Sequence, residues 1–462
     1  MPRRIKISND EHLPQLGVAL DAAAMQEVLK RQFPELASGP WQIYGMIVKE
    51  FHHRPGRKCE VVYGLYFKNA VTSELHRQTL SATVLPNSEA ETLFADEQQH
   101  PHFQPPIGFA VHLIPEVGMI LWGFPNDPRL RRLPALVDPV LLQEILQQNW
   151  ASLQVPRDHR LAGVDTEVVK YVPQDRCTLK HTLRLQNAGH DDKLVVFSKT
   201  YSDKTDGEPI FGVVRDLWNA PVCQSGALAI PEPLFFNREL NVIFQRGLAG
   251  LNMDESEILS RIDLEAAMEK IGVALAGIHQ SAVPASSFRS LQKEIYEVAE
   301  GMEALCKFNP AYQAPLEAIN EELWQRLPAL PSLGSVPIHG AFRLSQLLIA
   351  GDKIGLVDFD GFLQGDPVVD VGSFVAHLLY LVVKGDLTET RSRAAIRRFC
   401  RAYAEAVPWG LPDDLLHWCV PVMLISKQAK KCIRLAKDNH AAKVEQLVNW
   451  AGAILEGKER LA

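Results

Sequence analysis

Between residues 55 and 70 the chain alternates apolar and polar positions with a period of two. PGRKCEVVYGLYFKNA places Val61, Leu65 and Phe67 on one side. Residues 173–188, PQDRCTLKHTLRLQNA, repeat the pattern 118 positions later, with Leu179, Leu183 and Leu185 in the matching places. Pro55, Cys59, Leu65, Asn69 and Ala70 meet identical residues at that offset. Such spacing behind a Pro-led turn predicts a strand, a turn and a second strand in each copy. Downstream, LSATV at 80–84 lies against FSKTY at 197–201, which sets Ala82 against Lys199. EVGMIL at 116–121 lies against ELNVIF at 239–244, with Gly118 and Asn241 where a tight turn would sit. Three matches in order predict a duplicated β-rich unit of about 120 residues.

Beyond the second copy the spacing turns helical. After Asp263, suited to cap a helix, Leu264, Met268, Ile271, Leu275 and Ile278 recur at steps of four and three. They form one face of an amphipathic helix. Helical patterns return over 288–307, 313–326, 412–437 and 441–457, and Ile396, Phe399, Cys400, Tyr403 and Val407 share another face. Residues 336–359, with VPIHG, QLLIA and KIGLVDF, read as short strands and a hairpin inside this helical part. The expected class is α+β, with β-rich domains over 1–155 and 156–250 and a helical one over 251–462.

Composition narrows the picture. With 47% apolar and 22% charged residues, the 462-residue chain is neither disordered nor fibrous. A net charge of −7 speaks against nucleic acid as a partner. No apolar run approaches the ~20 residues of a membrane span, and the basic start has no apolar stretch behind it. Seven cysteines without a Cys-x-x-Cys pair fit neither a disulfide framework nor a structural zinc site. The reading is a reduced, cytoplasmic protein without a membrane or nucleic-acid partner.

The chemistry gathers in residues 338–374, IHGAFRLSQLLIAGDKIGLVDFDGFLQGDPVVDVGSF. The stretch resembles the catalytic region of the aminoglycoside phosphotransferase and choline kinase-like family. There a His-x-Asp-x-x-x-x-Asn loop is followed by a hairpin, then Ile-Asp-Trp or Ile-Asp-Phe, then Gly-Asp-Pro-x-x-Asp-Leu at the start of a helix. The resemblance spans roughly residues 160–456 and implies a protein-kinase-like, two-lobed fold, here preceded by a degenerate copy of the β lobe. It implies ATP and Mg²⁺ as cofactors and a small-molecule acceptor.

Carried over residue by residue, the resemblance sets Asp358 at the Mg²⁺-binding acidic position and Gln346 at the loop Asn, one methylene longer but still an oxygen donor. His339, Asp366 and Asp370 shape the loop and the next helix. Ala341 stands where the family has its catalytic Asp, and a methyl group can neither orient a hydroxyl nor take its proton. Asp360, two residues after Asp358, would share its face if the strand continued, and is the candidate substitute. Lys199 falls at the phosphate-contacting Lys, with Glu208 or Asp216 as its carboxylate partner. The turn 173–176 lies where a glycine-rich loop would cover the phosphates, yet has no glycine. Asp175 there would repel phosphate unless Arg176 offsets it. The first copy, with Ala82 at the Lys position, is expected to serve structure or partner binding.

Other clusters carry less. His52 and His53 point to opposite strand faces, and with His76 they make no metal set. Lys427, Lys430, Lys431, Arg434, Lys437 and Lys443, like Arg391, Arg393, Arg397, Arg398 and Arg401, read as solvated faces, the first set leaving room for an anionic substrate. His279 reads as a packed core histidine. Two functions stay open: ATP-dependent phosphoryl transfer to a hydroxyl of a sugar or amino alcohol, or a pseudokinase that binds nucleotide or a protein partner without catalysis.

Overall fold

The structure, a computed structural model, describes residues 10–461 apart from 55, 87, 157, 188, 189 and 435–439. Pro55 and Ala188 of the repeated stretch, and Lys437 of the basic stretch, lie outside them. The chain forms two compact bodies, Met1–Gly207 with Phe235–Phe244, and Glu208–Leu234 with Gln245–Ala462.

The first body holds two five-stranded sheets. One contains β1 (Trp41–Arg54), β2 (Lys58–Asn69), β3 (Leu75–Val84), β4 (Val111–Ile114) and β5 (Met119–Gly123) in the order β1-β2-β3-β5-β4. The other contains β6 (Arg160–Val172), β7 (Arg176–Asn187), β8 (His190–Tyr201), β9 (Pro233–Asn237) and β10 (Val242–Arg246) in the order β6-β7-β8-β10-β9. The same order twice is the duplication that the alternation predicts. The β1–β2 hairpin closes on Arg54↔Lys58 and the β6–β7 hairpin on Val172↔Arg176, both strands offset by 118 residues. Each hairpin is bulged twice, at Ile43–Gly45 and Val48–Glu50 and at Leu161–Gly163 and Val168–Lys170. Alternation is the cause: Val61, Tyr63, Leu65 and Phe67 are buried in one sheet, and Cys177, Leu179, Leu183 and Leu185 in the other. Gly118 and Asn241 both take left-handed conformations, at φ +60° and +51°, and turn the chain into the last strand of their sheets.

The repeat extends upstream of the strands. Asp21 caps the helix Ala22–Gln32 through the amides of Ala23 and Ala24, and Asp138 caps Pro139–Gln148 through those of Val140 and Leu141. Met25, Val28 and Leu29 of the first helix correspond to Leu142, Ile145 and Leu146 of the second, 117 residues on, and all are buried. Earlier still, two aspartates 117 residues apart hold the two hairpin turns. Asp10 Oδ2 lies 2.8 Å from His53 Nε2 and accepts the Gly56 N–H at 2.9 Å. Asp127 Oδ2 accepts the Tyr171 hydroxyl at 2.6 Å and the Gln174 N–H at 2.9 Å. The Gly56 amide first, then His53, pulls the Asp10 pKa down to about 2. Gly56 and Gln174 are equivalent and both left-handed, at φ +68° and +61°. Glycine adopts that conformation freely, whereas glutamine is strained in it.

In the second body, Asp263 caps the helix Leu264–His279, accepting the Ala266 N–H at 3.1 Å. Its face Leu264, Met268, Ile271, Leu275 and Ile278 is buried, as are Ile396, Phe399, Cys400 and Tyr403 of the helix Glu389–Ala406. The patterns at 288–307, 313–326 and 441–457 become helices Leu291–Phe308, Gln313–Arg326 and His440–Leu455. That at 412–437 is interrupted: helix Asp413–Met423 passes into a π-helical segment, Leu424–Ala429, before Lys430–Arg434. Val336–Ile338 pairs antiparallel with Leu363–Gly365, and Leu347–Ala350 forms a hairpin with Lys353–Leu356. No helix among the described residues is long and apolar enough to cross a membrane.

Candidate active site

The loop 339–346 is held from below by one carboxylate. Asp370, fully buried in the first turn of the helix Val368–Lys384, accepts the N–H of His339 at 2.5 Å and of Gly340 at 2.9 Å. His279 Nε2 stands 3.4 Å from the same carboxylate, and its Nδ1 2.8 Å from the Tyr403 hydroxyl, so His279 is the packed core histidine its face suggested. Asp366, just ahead of the helix, accepts the Val368 N–H at 3.0 Å, and burial raises its pKa. Gly340 is left-handed, at φ +76°, and a Cβ there would sit 2.2 Å from the Gly361 carbonyl oxygen. Only glycine lets the loop pass this close to the turn beside it. His339 is buried between Phe342 and Phe359, and burial pushes its pKa down, so it packs as a neutral ring.

Ala341 and Gln346 stand on this loop. Gln346 is 4% exposed, and its side-chain Oε1 meets no hydrogen-bond donor among the described residues. Its backbone carbonyl accepts the Val357 N–H at 3.0 Å, which sets the loop beside Asp358. A buried, unsatisfied oxygen next to a carboxylate-bearing strand end is a donor set suited to a hard, oxygen-seeking cation such as Mg²⁺. Arg343, two residues past Ala341, was not picked out by its sequence position. Its Nε is buried without an acceptor among the described residues, and its charge opposes protonation of His339. The signal available in the sequence was the one arginine of the loop, set between Phe342 and Leu344.

The strand leading to Asp358 ends at Leu356. Asp358 takes φ +73°, a strained choice for a residue with a side chain, and starts a 3₁₀ turn over Phe359–Gly361. Asp360 sits within that turn, so it does not share a strand face with Asp358; the expected two-residue alternation fails there because the chain turns.

Lys199 lies near the C-terminal end of β8, partly buried, opposite Thr178 of β7. It points away from the face that Val196, Ser198 and Thr200 bury, and its Nζ stands 5.8 Å from the centre of the Tyr201 ring. Thr178 and Glu60 are equivalent, and Glu60 pairs with Thr83. The first-copy counterpart of Lys199 is therefore Thr83, one residue beyond Ala82, and it too has no charge. In that copy the helix Glu89–Glu97 ends on a buried carboxylate: Glu97 accepts from Trp122 Nε1 at 3.2 Å and from Arg131 Nη2 at 2.8 Å. Glu208 stands in the first turn of the helix Gly207–Trp218, with Asp216 near its end. In the turn 173–176, Arg176 Nη1 donates to Asp175 Oδ2 at 2.6 Å, the offset that the acidic residue needed.

Several members of the remaining basic clusters are held in ion pairs. No group of three or more metal-type side chains occurs among the described residues. Lys427 and Lys430 pair with Glu297 and Glu300, and Arg393 and Arg401 with Glu389 and Glu405. Lys431 lies 4.9 Å from the Tyr380 ring centre. Burial pushes the thiols of Cys59, Cys177 and Cys400 up to about 12, far from nucleophilic.

The structure thus brings together a glycine-pinched loop held by a buried aspartate, a hairpin and an acidic turn. Residues 206–412 match the model of the phosphotransferase enzyme family, and the chain resembles the aminoglycoside phosphotransferases and choline kinases. Among solved structures, a choline/ethanolamine kinase family protein from Mesorhizobium loti is 14% identical, covering 67% of this chain and 94% of its own, at a TM-score of 0.43. Choline kinase from Cryptosporidium parvum Iowa II is 11% identical, covering 69% and 95%, at 0.47. A thermostable mutant of the aminoglycoside phosphotransferase APH(4)-Ia, solved with ADP and hygromycin B, is 13% identical, covering 68% and 97%, at 0.42. No curated protein matches the sequence.

Proposed function

We propose that the protein is an ATP-dependent phosphotransferase acting on a hydroxyl of a small molecule, a sugar or an amino alcohol. One observation carries the reading: the loop scaffold is kept whole by Asp370 and Gly340, with the unsatisfied oxygen of Gln346 beside Asp358. Asp358 and Gln346 would hold Mg²⁺, which when bound neutralises phosphate charge and aligns the γ-phosphoryl group. Lys199 would bind phosphate oxygens, with Glu208 orienting its ammonium. The acceptor oxygen forms a bond to the γ-phosphorus as the bridging oxygen leaves with ADP. The hydroxyl proton goes to Asp360 or to a basic group of the acceptor.

Ala341 favours a second reading, a pseudokinase that binds nucleotide or a protein partner, since a positioned base contributes about 10²–10⁴-fold. Acceptor-dependent ADP release, measured across sugars and amino alcohols for the parent, Ala341→Asp and Asp360→Asn, separates the two. Parent activity lost in Asp360→Asn supports transfer with a substitute base. A parent that binds Mg-ATP without turnover, and stays silent as Ala341→Asp, leaves the pseudokinase.

A further inference from the structure

The hairpin turn 173–176 has no glycine, yet Gln174 is held left-handed at φ +61°. A single buried carboxylate does the holding. Asp127 is 4% exposed and accepts four hydrogen bonds. Its Oδ1 takes the amides of Arg129 and Leu130 at 2.8 and 2.9 Å, which fixes the carboxylate to its own segment. Its Oδ2 takes the Tyr171 hydroxyl at 2.6 Å and the Gln174 amide at 2.9 Å, which fixes the turn to the carboxylate. Tyr171 is anchored a second time, its hydroxyl oxygen lying 3.3 Å from Ser81 Oγ and its ring meeting Phe124 edge-on at 5.3 Å. The turn is further closed on β8 by Ser202, whose amide donates to the Asp175 carbonyl at 2.8 Å.

We infer that Asp127 is a positioning residue for nucleotide binding: through Tyr171 and Gln174 it holds the turn 173–176 in the shape that covers the phosphates. The inference rests on the nucleotide reading above. Most turns of this kind obtain their shape from glycine, at the expense of mobility; this one obtains it from a carboxylate some 45 residues upstream, so its amides are ordered before a ligand arrives. Ordering ahead of binding reduces the entropy lost on association. The first repeat supplies a built-in comparison. Asp10 holds Gly56 by the same bond, in a copy where Thr83 replaces Lys199 and no phosphate site is expected.

The test compares Asp127→Asn with Asp10→Asn in the full chain, by calorimetric titration with Mg-ATP and, separately, with adenosine. Asparagine keeps one oxygen for the Arg129 and Leu130 amides but turns an NH₂ toward the Gln174 N–H. Amide hydrogen exchange at Gln174 and Gly56 reports whether each turn has been released. The expected result for Asp127→Asn is faster exchange at Gln174 and ATP affinity lowered about tenfold, the size of one hydrogen bond to a charged group, with adenosine affinity unchanged. Asp10→Asn should speed exchange at Gly56 and leave ATP affinity as it was. Tyr171→Phe keeps the ring against Phe124, removes only the hydroxyl, and should move ATP affinity in the same direction should Asp127→Asn fold poorly. Parallel losses for ATP and adenosine would make Asp127 a structural residue only, and so would a released turn with unchanged ATP affinity. A parent that binds neither ligand overturns the nucleotide reading itself, an outcome seen before any variant is made.

Discussion

Single residues set both the chemistry and its pH range. Lys199→Ala should weaken ATP binding by about 1.5–3 kcal/mol, the range for a hydrogen bond to a charged group, while Thr83→Lys in the first repeat should create no second site. Titration of the two variants decides, and undiminished affinity in Lys199→Ala would remove the phosphate role. On β7, beside Lys199's strand, His181 is fully buried, with Ser198 Oγ 2.7 Å and Thr166 Oγ1 3.0 Å from its ring nitrogens. Burial alone pushes its pKa from 6.5 down to about 4. Above pH 6.5 the ring is neutral folded and unfolded, and it makes no difference to stability. Below 6.5 the unfolded chain binds a proton that the folded chain refuses, so stability falls until the pH reaches about 4, by roughly 3 kcal/mol in all. Denaturant midpoints of the parent and His181→Gln across this window should diverge on the acid side; parallel curves would refute the assignment.

At the scale of elements, what could be read in advance was what repeats over short distances. The alternation in β2 and β7 and the 3.6-residue faces of Leu264–His279 and Glu389–Ala406 are local, and burial follows them directly. The register of β3 against β8 was legible only to within one residue. A five-residue match cannot fix it, and the pairing of Glu60 with Thr83 and of Thr178 with Lys199 settles it. Asp10 and Asp127 were not legible at all, because each acts on a turn more than 40 residues away and nothing near it in the chain marks the partner. The turn at Asp358 was hidden for another reason: a non-glycine residue at φ +73° contradicts its own propensity. In the loop, the close approach of Gly340 to the Gly361 carbonyl makes a definite expectation. Gly340→Ala should lose about 1–3 kcal/mol of stability through left-handed strain and more from the contact. Urea unfolding measures it, and a loss under half a kilocalorie would mean that the loop relaxes freely.

At the scale of the whole molecule, metal dependence is the broadest expectation. Asp358→Asn should abolish the Mg²⁺ dependence of nucleotide binding and leave the fold intact, because an isolated carboxylate near triphosphate is otherwise repulsive. Titrations with and without Mg²⁺ decide it; metal-independent binding in the parent would count against Asp358 and Gln346 as ligands and toward the pseudokinase. The duplication has a consequence of another kind. The seam between the repeats falls near residues 123–127, where Gly123, Pro125, Asn126 and Asp127 are buried. Asn126 donates back to the carbonyls of Phe103 and Gly123 at 2.9 and 3.0 Å. The copies are thus not beads on a string. Residues 125–127 themselves offer a protease nothing exposed to cut, and on heating the two sheets should melt as one cooperative unit rather than in succession.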